Sequence, residues 1–88
     1  MANLSVAIAC TAPQYWVTID STDMYDENGN HSPQPFNPGP HHCTWWMLGA
    51  PADTISIQIT NAGAAVATVT GAVPPGQNAA ADSTVFSM

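Results

Sequence analysis

The chain contains no lysine and no arginine among its 88 residues. If about one residue in eight is basic in an ordinary domain, chance produces such a sequence about once in 10⁵ draws. The absence excludes whole classes of function. Nucleic-acid binding rests on neutralising phosphates with Lys and Arg, and attraction to anionic membranes rests on the same side chains. Only the N-terminal amine and His31, His41 and His42 can carry positive charge, so ordinary Lys or Arg salt bridges cannot form. Trypsin-like proteases find no cleavage site, which suits an extracellular or protease-exposed setting.

Other absences narrow the field further. Charged residues make up 7% of the chain, against about 25% in an average domain, while the hydrophobic share of 45% is ordinary. Disorder needs low hydrophobicity with high charge, so a folded domain is expected. No apolar run reaches the length of a membrane span. Met1-Ala2-Asn3-Leu4 carries no charged leader region, so no signal peptide is visible and the compartment stays open between cytosol, a missing leader and another export route. No apolar repeat of 3.6 residues persists beyond one turn, which argues against helices. Two cysteines, Cys10 and Cys43, allow one disulfide or two free thiols.

What is present is alternation. The densest stretch is His41-His42-Cys43-Thr44-Trp45-Trp46-Met47-Leu48, bounded by Pro40 and Gly49. In a strand it places His41, Cys43, Trp45 and Met47 on one face and His42, Thr44, Trp46 and Leu48 on the other. Each face carries a tryptophan, so this reads as a central strand with one indole in the core and the other at a contact surface. Leu4 to Thr11 alternates with Leu4, Val6, Ile8 and Cys10 on one side. Gln14 to Asp20 places Tyr15, Val17 and Ile19 toward the core and Trp16 outward. Thr54 to Thr60 directs Ile55, Ile57 and Ile59 inward, and Ala64 to Thr70 is a weaker strand of small residues. Asp82 to Met88 is the last strand, after a loop over 71–81.

Between these lie an acidic excursion over 20–31 that turns at Asn28-Gly29, the favoured type I′ pair, and a segment over 32–40 with four prolines. Proline cannot donate to a ladder, so that segment is a loop or an extended edge. Residues 1–88 are thus expected to form one small antiparallel β-sandwich of six to seven short strands. The layout resembles immunoglobulin-like modules: short strands, a tryptophan-bearing central strand and a Pro-Pro-Gly loop before the last strand. In antibody-type domains the cysteines bracket the tryptophan at wide separation. Here Cys10 and Cys43 stand 33 residues apart and both precede Trp45, so the resemblance does not extend to that disulfide.

Four sets of residues merit a chemical reading. His41, His42 and Cys43 offer soft ligands for zinc or copper, but neighbours in a strand diverge, so a site needs His31 or Cys10 as well. Without a metal they read as surface histidines and a buried thiol. Asp20, Asp23, Asp26 and Glu27 are four of the six carboxylates, and calcium would relieve their repulsion. The EF-hand register fails, since glycine comes too early after Asp26 and position twelve is Asn37. A solvated hairpin tip explains the same residues. If these carboxylates crowd one another, their pKa values rise and stability grows toward mild acid. For hydrolysis there is no nucleophile elbow, no phosphate loop and no Lys or Arg to hold an anion, so an enzyme is not expected.

The fourth set is aromatic. Tyr15-Trp16 and Trp45-Trp46 each send one ring outward, and Phe36 lies in the proline-rich segment. Together these five residues form a candidate binding surface, because large exposed aromatics are enriched at interfaces. The expectation is a non-catalytic interaction or assembly module without a cofactor. Its partner is protein, either itself in a homo-oligomer, filament or virion-type subunit, or another chain. The alternative is a carbohydrate-binding module stacking sugars on Trp16 or Trp46, with calcium support from the acidic hairpin.

Overall fold

The computed structural model describes residues 2–26 and 33–87. Eight strands follow in order: β1 (Ala2–Cys10), β2 (Gln14–Ile19), β3 (Thr22–Asp26), β4 (Gln34–Phe36), β5 (Pro40–Leu48), β6 (Thr54–Asn61), β7 (Ala64–Ala72) and β8 (Ala79–Ser87). They form two four-stranded antiparallel sheets, β4-β1-β6-β7 and β3-β2-β5-β8, packed face to face. The β-sandwich expected from the alternation is the observed architecture, with eight strands instead of six or seven. Between β5 and β8, which lie side by side, the chain crosses to the other sheet and builds the β6–β7 hairpin.

Strand β5 is central because both its edges are paired. It runs against β2 from Gln14↔Leu48 to Ile19↔Cys43, and against β8 from Pro40↔Ser87 to Leu48↔Ala79. Its residues alternate without exception between exposed and buried. His41, Cys43, Trp45 and Met47 face inward, as the period-two reading requires. They meet Val17 and Ile19 from β2 and the row Ile55, Ile57 and Ile59 from β6. Burying each such isoleucine contributes about 1.5–3 kcal/mol relative to leaving it wet. Trp45 fits because Gly71 of β7 lies against its ring, where any Cβ would overlap the indole.

Strand β3, which the sequence does not announce, and β4, one of the two forms expected of the proline-rich segment, are short and lie at sheet edges. Strand β3 pairs with β2 through a two-residue turn at Asp20-Ser21, whose φ angles of 50° and 70° are those a type I′ hairpin turn needs. The acidic excursion is therefore folded back earlier than expected, and Thr22–Asp26 is ladder instead of loop. The turn expected at Asn28-Gly29 lies outside the described residues. Strand β4 pairs Phe36 with Ala2 and Gln34 with Leu4. It is the extended-edge form of the proline-rich segment, with Pro35 tolerated because β4 has a partner on one side only. At the other end, Ala62-Gly63 forms the β6–β7 turn with φ angles of 51° and 88°. The loop expected over 71–81 is shorter. Gly71 and Ala72 extend β7, and Ala79 to Ala81 already belong to β8, opposite Trp46 to Leu48.

Candidate contact face

The outer face of the β3-β2-β5-β8 sheet is where the outward aromatics gather. Trp16 and Trp46 are cross-strand partners and stack, with ring centroids 5.9 Å apart and planes 18° from parallel. Trp46 is 37% exposed, Leu48 43% and Val85 60%, and Trp16 is half-buried. The polar groups among them are mostly satisfied within the face. Trp16 Nε1 donates to Asp23 Oδ1 at 2.9 Å. Thr44 Oγ1 donates to Ser83 Oγ at 3.2 Å, and Thr18 Oγ1 to the Thr44 carbonyl at 3.4 Å. Covering this face would therefore strand few unpaired donors, the usual penalty for burying polar surface.

The other residues of the candidate aromatic set lie elsewhere. Trp45 and Phe36 are core residues, 3% and 8% exposed, so neither belongs to an outer surface. Phe36 leaves the loop because the β1–β4 pairing draws it inward, where its ring meets His41 edge-on at 5.3 Å. Tyr15 is half-buried and stacks on Tyr25 of β3, centroids 5.4 Å apart and 11° from parallel. The contact face thus reduces to Trp16 and Trp46, with Leu48 and Val85 as members the sequence reading did not select. Leu48 already shares the face of Trp46 in the alternation over 41–48, and Val85 follows from carrying the same period along 82–88.

A second feature closes one end of the sheet. Asp20, in the β2–β3 turn, receives the backbone N–H of His42 on Oδ1 at 2.9 Å and pairs through Oδ2 with Nδ1 of His41. The other ring nitrogen of His41, Nε2, reaches the Asn37 carbonyl at 2.7 Å. A carbonyl only accepts and a carboxylate accepts, so the imidazolium, with a proton on each nitrogen, satisfies both contacts. The bond to Asp20, with that to Asn37 second, raises the His41 pKa above its ordinary value. Asp20 moves the other way, held below the usual carboxylate range first by the His42 N–H and then by His41. This corrects the expectation of raised pKa values for the acidic cluster at Asp20: the partners are histidines and a backbone donor. With both nitrogens committed, His41 has no free atom for proton exchange with a substrate.

The metal candidates scatter. Among the described residues, no group of three or more His, Cys, Asp or Glu side chains converges as ion ligands. Asp20 and His41 meet, Asp23 is bonded to Trp16, and Asp26 is buried in β3. Cys43 is fully buried and its thiol is pushed up to about 11 by that burial, far from the thiolate a metal requires. Glu27 and His31 lie outside the described residues. Cys10 and Cys43 are free thiols in different sheets.

A cleft of about 370 Å³ opens between the end of β7 and the start of β8, lined by Trp45, Gly71, Gln77, Ala80 and Asp82 among others. Trp45 Nε1 is buried beside it and finds no acceptor among the described residues. Comparison with known protein families, curated proteins and solved structures found no match for this chain.

Proposed function

We propose that this protein is a non-catalytic assembly subunit whose working surface is the outer face of β3-β2-β5-β8, centred on Trp16 and Trp46, and whose partner is another copy of the chain. The observation that carries the reading is the stacked Trp16–Trp46 pair on a face where the Thr18 and Thr44 hydroxyls already donate within the sheet. A domain of this size leaves roughly a third or more of its unfolded surface in water, so burying a further face adds stability. Asp23 lies on the β3 side of the face, whereas on the β5–β8 half the outward side chains Thr44, Trp46, Leu48, Ala81, Ser83 and Val85 are uncharged, which lets copies with a formal net charge of −6 approach through that half.

Sugar stacking, the alternative, has less support. Each indole has turned one face onto the other, so the pair is not a flat two-ring platform, and the described carboxylates do not gather into a calcium site. The reading is tested by acrylamide quenching of tryptophan emission across a dilution series. The accessible fraction, contributed mainly by Trp46, should fall as protein concentration rises. Quenching that is independent of concentration would count against a self-contact through this face.

A further inference from the structure

The four sheet edges are protected unequally. Strand β4 has three residues with Pro35 in its middle, and β3 has five, carries Asp23 and Asp26, and faces a bulge at Val17/Thr18. Short length, proline, acidic residues and bulges are the devices that stop an edge from recruiting another strand. The opposite side of the sandwich is bounded by β7 and β8, nine residues each. Neither contains proline, and Asp82 is the single charge on the two strands. The β6–β7 ladder is broken by an irregularity at Ile59/Thr60, whereas the β5–β8 ladder runs through nine consecutive pairs. Strand β8 is therefore the long and regular edge; at its centre the Ser83 N–H donates to Asp82 Oδ1 at 2.7 Å, a bond that pairing with another strand has to replace.

We propose that β8 joins antiparallel to β8 of a second copy, extending β3-β2-β5-β8 into one continuous sheet across a twofold axis. The inference takes from the assembly reading its premise that copies associate, but it uses a different surface. A twofold axis normal to the sheet keeps each row of side chains on its own face, and full overlap of the nine residues centres the pair on Ser83. Ser83 then opposes Ser83, its N–H exchanging Asp82 for a carbonyl of the second copy, Ala81 opposes Val85, and Asp82, so released, opposes Thr84, whose hydroxyl can donate to the carboxylate. A slip of two residues toward the start of β8 would set Asp82 against Asp82, a like-charge pair that destabilises a ladder. The single charge thus selects the register. Four of the six carboxylates lie in residues 20–27, and the described ones belong to the β2–β3 end of the sheet, with β8 at the other. Copies meeting at β8 keep their most acidic ends apart.

The test is sedimentation of the full chain carrying Trp16→Ala and Trp46→Ala, which removes the aromatic face and leaves β8 intact. That protein should still form dimers. Adding Ser83→Lys, or separately Ser83→Glu, should weaken them at least tenfold, and mixing the two Ser83 variants should restore them, because residue 83 faces itself. Amide exchange over 79–87 should slow as concentration rises, a readout that needs no change in β8. A doubly replaced protein that is monomeric at all concentrations, dimers indifferent to both Ser83 variants, or concentration-independent exchange in β8 overturns the proposal. Failure of the aromatic-face reading shows separately, as a native mass that the two tryptophan replacements leave unchanged.

Discussion

Trp45 and Trp46 are neighbours in sequence and occupy opposite environments. Trp45 is held inside the sandwich against Gly71, with a buried N–H that meets no acceptor among the described residues. Trp46 lies outside, 37% exposed, with one ring face on Trp16 and the rest in water. Residue type does not distinguish them. One step along a strand does, because the side-chain period of two gives one indole to the fold and the next to the surface. The comparison separates stability from association: changes at Trp45 should act on the first, and changes at Trp46 on the second.

The largest effect is expected from Trp45→Ala. Removing a core indole and leaving its cavity should cost about 3–5 kcal/mol, measured by urea unfolding. A loss under about 1 kcal/mol would mean that Trp45 is not the core member of the pair. Gly71→Ala comes next, at about 1–3 kcal/mol, because the added methyl overlaps the Trp45 ring and the core must shift. Combining it with Trp45→Ala should recover part of that loss, since the clash has then gone.

The third effect is one of pH. The raised His41 pKa gives stability that is complete below about 6.5 and is lost as pH rises through the folded value. The lowered Asp20 pKa gives stability that is complete above about 3.9 and is lost as pH falls through its folded value. Both contributions are present together between about pH 4 and 6.5, so the melting temperature should peak in that window. Asp20→Asn, which tolerates the left-handed backbone of the turn, should flatten the peak. A peak that persists would assign the effect to groups other than the Asp20–His41 pair. The smallest effect on folding is expected from Trp46→Ala, under about 1 kcal/mol for the dilute chain by the same urea measurement.

The parts of this account that follow from sequence are those governed by near neighbours. The inward rows His41-Cys43-Trp45-Met47 and Ile55-Ile57-Ile59, and the Ala62-Gly63 turn, are legible because alternation and turn chemistry act over a few residues. Features set by long-range pairing are not. Phe36 reads as loop until β1 is known to lie beside it, and Ala79 to Ala81 have no strand preference until β5 pairs with them. Strand β3 was hidden because Ser21 is an unusual residue at positive φ, so Asp20-Ser21 gives no strong turn signal. The Asp20–His41–Asn37 contacts join three segments whose approach only the folded sheets define. The outward position of Trp46 was legible as an alternative, and the register of β5 settles which indole of the pair is outside.

Whether copies assemble through the Trp16–Trp46 face is decided by absolute mass from light scattering over a concentration series, run on the native chain beside Trp46→Ala. The native chain should show a mass above the 9.2 kDa of one chain that rises with concentration, and Trp46→Ala a lower mass at every concentration. A native chain that stays at 9.2 kDa throughout, or a Trp46→Ala protein that associates as well as the native one, would contradict assembly through that face.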